Sequence, residues 1–389
     1  MSSYKNIKIL TWFNFFTDFK LYSPIAIIYF TSVTNSFALG MSIFSIAMIS
    51  SAVFEIPTGV FSDMIGRRKT VMLGALASVV CVIFYAIGQS YWILAVGAVF
   101  EGLSRSFYSG NNDALLYDSL AEVNKKDDYH KFLGKISSMF QIALALSAIA
   151  GGIIAGFSFA LMMWLSVIPQ AVCFVLSTMV VEPAIQKEKH GNIYAHLKGS
   201  FTNFIKNARL RNLSIADILS SGLGETSFQF QSAFYNTVWP LWAIGLAKTL
   251  SYFGASISFL FSEKIINRLG NITSILFGNI YSRAINIVAT GFPSVLSPAL
   301  MSSTSLLYGV TVVAKKTLLQ REFTDKQRAT MSSLNSLFGS LFYGVSALGI
   351  GLIADKIGPA KSFLLLQFIS LPVIWLYLKI FKEDRQNRT

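Results

Sequence analysis

The feature that most restricts this chain is a succession of twelve apolar stretches, each near the roughly 20 residues an α-helix needs to cross a bilayer. By the length of the apolar runs they cover about 7–33, 39–63, 69–89, 91–118, 131–157, 159–181, 208–236, 239–265, 271–291, 295–321, 328–355 and 359–381. Composition points the same way. Charged residues make up 13% of the 389, about half the roughly 25% usual in soluble domains, while 53% are hydrophobic. The fold class expected is therefore an all-α, multi-pass membrane protein with twelve transmembrane helices.

A formal net charge of +13 would suit a nucleic-acid partner, but the placement of the cations argues against one. Most of the 32 Lys and Arg fall at the two ends and in alternate connections. The intervening connections, such as Thr34-Asn35-Ser36, Gly88-Gln89-Ser90 and Gly291-Phe292-Pro293, are short and mostly uncharged. This is the positive-inside bias, and it puts both termini in the cytoplasm. The first apolar run is too long and too charged for a cleavable signal peptide. Cys81 and Cys173 stand singly in apolar segments, where each reads as a small core residue. No disulfide, metal or cofactor is expected. His130, His190 and His196 all fall in loops, and zinc-protease His-Glu spacing, a Gly-x-Ser-x-Gly elbow and a phosphate-binding Gly-Lys-Ser/Thr loop are missing, so an intramembrane enzyme is not expected.

The longest connection divides the chain into 1–183, a first six-helix bundle, 184–207, a cytoplasmic linker, and 208–389, a second six-helix bundle. From the linker onward Ile193, Leu197, Phe201, Phe204, Ile205 and Ala208 recur at helical spacing, with Lys198, Lys206 and Arg209 among them. Either an amphipathic helix on the inner membrane surface or a solvated linker fits that pattern. The bundles look like a repeat. Phe61-Ser62-Asp63-Met64-Ile65 aligns with Phe261-Ser262-Glu263-Lys264-Ile265 at an offset of 200, and Asp18 aligns with Glu225. In that register the second copy lacks the glycines of the first.

Between segments 2 and 3 runs Gly59-Val60-Phe61-Ser62-Asp63-Met64-Ile65-Gly66-Arg67-Arg68-Lys69. Gly66 lets the backbone reverse, and the three cations mark the cytoplasmic face. Asp63 lies at or just below hydrocarbon depth, where an unpaired charge costs roughly 2.5–3.5 kcal/mol, so it needs a positive partner. Gly59, Asp63, Gly66, Arg67 and Arg68 resemble the signature of the major facilitator superfamily of secondary transporters, with Met64 where that family usually has a basic residue. The resemblance implies that Asp63 faces the N-terminus of segment 11 near Arg328, that Arg67 meets Asp118, and that these contacts form a conformational gate. Segment 5 keeps the small residues Gly134, Ala143, Ser147, Ala148, Gly151 and Gly152 of the family's antiporter motif but lacks its proline.

Charges within apolar segments must be paired, face a wet cavity, or work. Thr11, Asn14, Asp18 and Tyr22 form one stripe on segment 1, beside Lys20; Ser214, Asp217, Ser221, Glu225 and Gln229 form another on segment 7. Glu101 and Arg105 are four apart on segment 4, able to pair with each other or face a substrate. Lys248 and Arg283 complete the set, and segment 10 offers Ser305, Tyr308 and Thr311 with no mid-membrane charge. The resemblance implies that segments 1, 4, 7 and 10 line a central cavity. The expected substrate-binding set is Asn14, Asp18, Tyr22, Glu101, Arg105, Asp217, Ser221, Glu225, Gln229, Lys248 and Tyr308. With every histidine in a loop, carboxylates must carry any transported proton; Glu225 and then Asp18 are the candidates. The function expected is proton-coupled export of a small amphiphilic molecule across a bacterial inner membrane, by a monomer whose partners are that substrate, protons and the lipid bilayer. The alternative is a proton-coupled uptake symporter for a small anionic or zwitterionic solute.

Overall fold

The structure, a computed structural model, describes residues 2–109, 111–125, 129–183, 207–322 and 328–386. The linker segment 193–206 with its helical pattern lies outside them. Every described element is a helix, and together they follow the twelve apolar segments. In segment 1 these are α1 (Ser2–Asp18), a 3-10 turn (Ser23–Ile25) and α2 (Ala26–Thr34). Segments 2 and 3 are α3 (Phe37–Ile65) and α4 (Arg67–Ile87), segment 4 is α5 (Tyr91–Tyr108) with α6 (Asn111–Glu122), and α7 (Tyr129–Phe157) and α8 (Phe159–Thr178) complete the first set. Segments 7 to 9 are α9 (Ala208–Tyr235), α10 (Leu241–Leu269) and α11 (Asn271–Gly291). Segment 10 is α12 (Ser297–Ser302), a 3-10 turn (Ser303–Leu307) and α13 (Tyr308–Glu322); α14 (Arg328–Ile357), α15 (Pro359–Ile369) and α16 (Leu371–Gln386) finish the chain.

Segments 1, 4, 10 and 12 are broken where the apolar pattern suggested continuous helices, and the causes are local. In segment 1, Pro24 opens the 3-10 turn and has no N–H to continue a helical ladder. In segment 10, Ser302, Ser303, Thr304 and Ser305 each turn a hydroxyl back onto a carbonyl three or four residues earlier, at 2.6–2.9 Å. Such side chains compete with the backbone ladder and favour a tighter turn. Segment 12 breaks at Ser370, two residues ahead of Pro372. At the break in segment 4, Ser109 has extended backbone (ψ 120°).

Eight helical stretches among the described residues are long and apolar enough to span a membrane. None of the eight belongs to segments 1, 4, 7 or 9, which carry Asp18 and Lys20, Glu101 and Arg105, Asp217 and Glu225, and Arg283.

Two compact units emerge. The first holds Met1–Lys187 with Pro240–Thr249, the second Glu188–Trp239 with Leu250–Thr389. In the first, α3, α4 and α5 pack on one another and α8 covers α4, while α1 lies against α7 and α8. A core of Ile7, Leu10 and Phe13 from α1, Val71 and Ala75 from α4, Leu115 and Leu120 from α6, and Cys173 forms at one end of this unit. The first turns of α10 join this unit by close backbone approach to α7: a Cβ on Gly152 would lie 2.9 Å from the Trp242 carbonyl, and Thr249 donates to the Ala145 carbonyl at 3.1 Å. In the second unit α9 packs along α14 and α15, and α11 against α13 and α15.

Candidate functional site

The signature turn is built by one residue's backbone. Gly66 joins α3 to α4 with φ +93° and ψ 160°, a conformation that a side chain rarely adopts. Arg67 then starts α4 and pairs with Asp118 on α6. Ser62 donates to Asn111 at 2.6 Å and Thr58 to the Ser106 carbonyl at 3.3 Å, tying α3 to the segment-4 break from the other side. Gly59 lies mid-helix with nothing within 4 Å of a built Cβ, so packing here makes no demand for glycine. The side chains of Asp63 and of Arg328 fall outside the described residues, and their contact with them.

The second unit repeats this turn in a register the local alignment missed. Gly270 joins α10 to α11 with φ +83° and ψ 160°. The paired helices have equal lengths, 29 residues for α3 and α10 and 21 for α4 and α11. Aligning Gly66 with Gly270 gives an offset of 204, one helical turn from the 200 read off local identities. The second copy therefore keeps the turn glycine, and Asn267 occupies the place of Asp63 while Arg268 stands opposite Met64.

In the first unit the charges gather around the segment-1 break. Asp18 ends α1, where the helix presents its partial negative pole, and Lys20 and Arg105 are the cations within electrostatic reach. Glu101 accepts from Arg105 Nη2 at 3.0 Å and from the Tyr85 hydroxyl at 2.9 Å. The internal pair is thus formed, with Glu101 13% exposed and Arg105 half exposed. The buried Tyr22 ring meets Tyr85 edge-on at 5.6 Å, and its hydroxyl has no hydrogen-bond partner among the described residues. Asn14 donates to the Leu10 carbonyl of its own helix at 2.8 Å. Glu55 on α3, passed over in the sequence, accepts from Ser109 at 2.7 Å.

In the second unit two ion pairs link α9 to α13 as rungs. Arg209 Nε pairs with Glu322 at 2.7 Å. Eight residues along α9, or about 12 Å, Asp217 Oδ1 meets Lys315 Nζ at 3.3 Å. Lys315 also donates to Ser220 and Ser221 at 3.4 and 3.3 Å, and Ser221 donates to Asp217 at 3.3 Å. A further eight residues on, Glu225 comes within electrostatic reach of Tyr308. Glu225 is exposed and accepts from Gln229 at 2.9 Å. Lys315 of segment 10 thus pairs with a carboxylate of segment 7, a partner the sequence reading did not give it. Its spacing from Tyr308 and Thr311 was the available signal.

Arg283 is held by Gln367 Oε1 at 2.6 Å, and Gln367 in turn donates to Ser227 at 3.3 Å. The first unit has a neutral counterpart, in which Ser78 donates to Gln170 at 2.7 Å and Gln170 to the Phe16 carbonyl at 3.1 Å. Lys248, expected at a substrate site, is 2% exposed among the α10 turns of the first unit. Cys81 and Cys173 are free and buried, and no group of metal-ligating side chains occurs among the described residues.

The sequence pattern described as Major Facilitator Superfamily matches residues 9–341. Among curated proteins, the chain is 21% identical to the uncharacterized MFS-type transporter YxaM of Bacillus subtilis, over 91% of this chain and 90% of that one. It is 23% identical to Multidrug resistance protein 2 of the same organism, over 78% and 77%. A 29% match to the uncharacterized transporter BU466 of Buchnera aphidicola is confined to 44% of this chain and 43% of that one. The structure of the nucleoside transporter NupG superposes with a TM-score of 0.81 at 13% identity, covering 98% of this chain and all of that one. A bacterial homologue of the human lysosomal transporter Spinster, inward-facing, gives 0.77 at 15%, covering 97% of both.

Proposed function

This chain belongs to the major facilitator superfamily, and from that membership we propose that it is a proton-coupled secondary transporter that exports a small amphiphilic molecule by alternating access across a bacterial inner membrane. The observation that carries the proton-coupling reading is the contrast among its membrane carboxylates. Glu101 and Asp217 are paired with cations. Glu225 is exposed, accepts from the neutral Gln229 amide and forms no ion pair among the described residues. A carboxylate with no cation bound to it can gain and lose a proton without breaking an ion pair. Glu225 is therefore the proton carrier, with Asp18 as the second group and Asp217, Ser221, Gln229 and Tyr308 beside it as substrate contacts. Export is supported by the likeness to Multidrug resistance protein 2. The inner-membrane location is supported by a 24% match over 226 residues to the inner membrane transport protein YajR of Escherichia coli.

A second reading, uptake of a small anion with a proton, has one observation in its favour. Lys315 meets its three acceptors at 3.3–3.4 Å, longer than charge-assisted bonds usually are, which leaves it open to a better anion. One experiment separates the readings. Purified protein in proteoliposomes, given an imposed pH gradient, is offered ethidium as a drug-like cation and uridine and benzoate as alternatives. Export predicts ethidium movement against the proton flow; benzoate movement with the protons would replace it with uptake. No gradient-dependent movement of any of the three would overturn both.

A further inference from the structure

The first residues after α8 do more than leave the first bundle. Glu182 reaches the signature turn from 115 residues away and caps α4: its Oε1 accepts from the Arg67 N–H at 2.8 Å and its Oε2 from the Arg68 N–H at 2.7 Å. Two of the orphan donors at the start of α4 are thereby satisfied by one carboxylate placed at the positive pole of the helix. The fit depends on Gly66, since a Cβ there would stand 2.9 Å from Glu182 Oε1. Arg68 closes the contact from its own side by donating to the Thr178 carbonyl at 2.8 Å. One residue before, Val181 is locked to α1: its N–H donates to Asn6 Oδ1 at 2.9 Å and its carbonyl accepts from Asn6 Nδ2 at 2.8 Å. Asn6, 1% exposed, also donates to Ser119, the neighbour of Asp118, at 3.1 Å. Six hydrogen bonds and the Arg67–Asp118 pair thus join the start of the connection to α1, α4 and α6 at one point.

We infer that Glu182 is a positioning residue of the signature turn: it fixes the start of α4, aims Arg67 at Asp118, and makes the connection between the bundles travel with that turn. Its functional consequence rests on the transporter reading, because a turn that rearranges during a transport cycle must carry or release whatever is fastened to it. A carboxylate that only anchored the connection would have no reason to contact two successive amides at the first turn of a helix. It would equally leave Arg67 and Asp118 untouched when removed.

Hydrogen exchange in lipid nanodiscs tests the positioning without any substrate. In Glu182→Ala the amides of 67–70 should exchange roughly fivefold faster, as expected for a lost cap of about 1 kcal/mol, and protection should also fall across 115–122, which Glu182 does not touch. Glu182→Gln, which keeps one acceptor oxygen, should lie between. Unchanged exchange at 67–70, or a loss confined to 181–183, would overturn the inference. The same variants in the ethidium assay should show a several-fold lower maximal rate at unchanged half-saturation. If ethidium flux is absent from the unmodified protein, the export reading fails while the exchange result still decides the role of Glu182. If flux is present and the Glu182→Ala rate equals it, the functional half of the inference is wrong.

Discussion

At the scale of single residues the two turn glycines carry the sharpest expectations. Both sit at positive φ with ψ near 160°, so any side chain there costs roughly 1–3 kcal/mol in backbone strain. Gly66 has a second constraint, the Glu182 carboxylate at its Cβ position, whereas Gly270 faces open space. Gly66→Ala should therefore lower the thermal midpoint in detergent more than Gly270→Ala, and the gap should narrow when Glu182 is also alanine. Equal shifts would mean that the carboxylate moves aside freely. Asp63 belongs to the same turn by sequence. As the proposed gate residue, Asp63→Asn should insert normally and lose transport; full turnover in that variant would remove it from the gate. The need for Gly66 and the meeting of Arg67 with Asp118 were legible in the sequence because a signature spells them out. Glu182 was not, because a carboxylate 115 residues away in a charged connection looks like any solvated residue until its partners are placed.

At the scale of elements, the α9–α13 seam shows how a helix can afford charges. Arg209 with Glu322 and Asp217 with Lys315 put opposite charges on facing helices two turns apart. Removing one member of a buried pair costs about 3–5 kcal/mol, because the other is left uncompensated. At 10% and 20% exposure, Lys315 and Asp217 should fall toward the lower end of that range. Lys315→Met should lower the thermal midpoint, and adding Asp217→Asn should recover more than half of the loss. A double variant as unstable as the single one would show that the two side chains do not depend on each other. The sequence missed this pair for a physical reason. A lysine near a helix end serves equally well as a topological marker or as a reach-in partner, and only the rotation of α13 decides between them. The same ambiguity shifted the repeat by one turn, since four residues along a helix return the same face to the same neighbour.

At the scale of the whole molecule, hydropathy was enough to place all twelve segments, because bilayer thickness fixes helix length and little else competes with it. What hydropathy could not give were the break at Ser109 in segment 4 and those in segments 1, 10 and 12, of which the last three follow from Pro24, the Ser302–Ser305 hydroxyls and Pro372 rather than from apolarity. Three of the four broken segments are among those that the family resemblance assigns to the cavity. Discontinuous helices give a membrane protein free backbone groups and room for charge at depth, as transporters use them. The question that remains for the whole chain is whether substrate movement and proton movement are one event. Its direct measurement is the number of protons moved per ethidium in proteoliposomes loaded with a trapped pH dye, for the unmodified protein and for Glu225→Gln. The unmodified protein should move protons opposite to ethidium at a fixed ratio, and Glu225→Gln should reduce the coupled proton signal to that of protein-free vesicles. An unchanged ratio and rate in Glu225→Gln would contradict the assignment of proton coupling to this carboxylate.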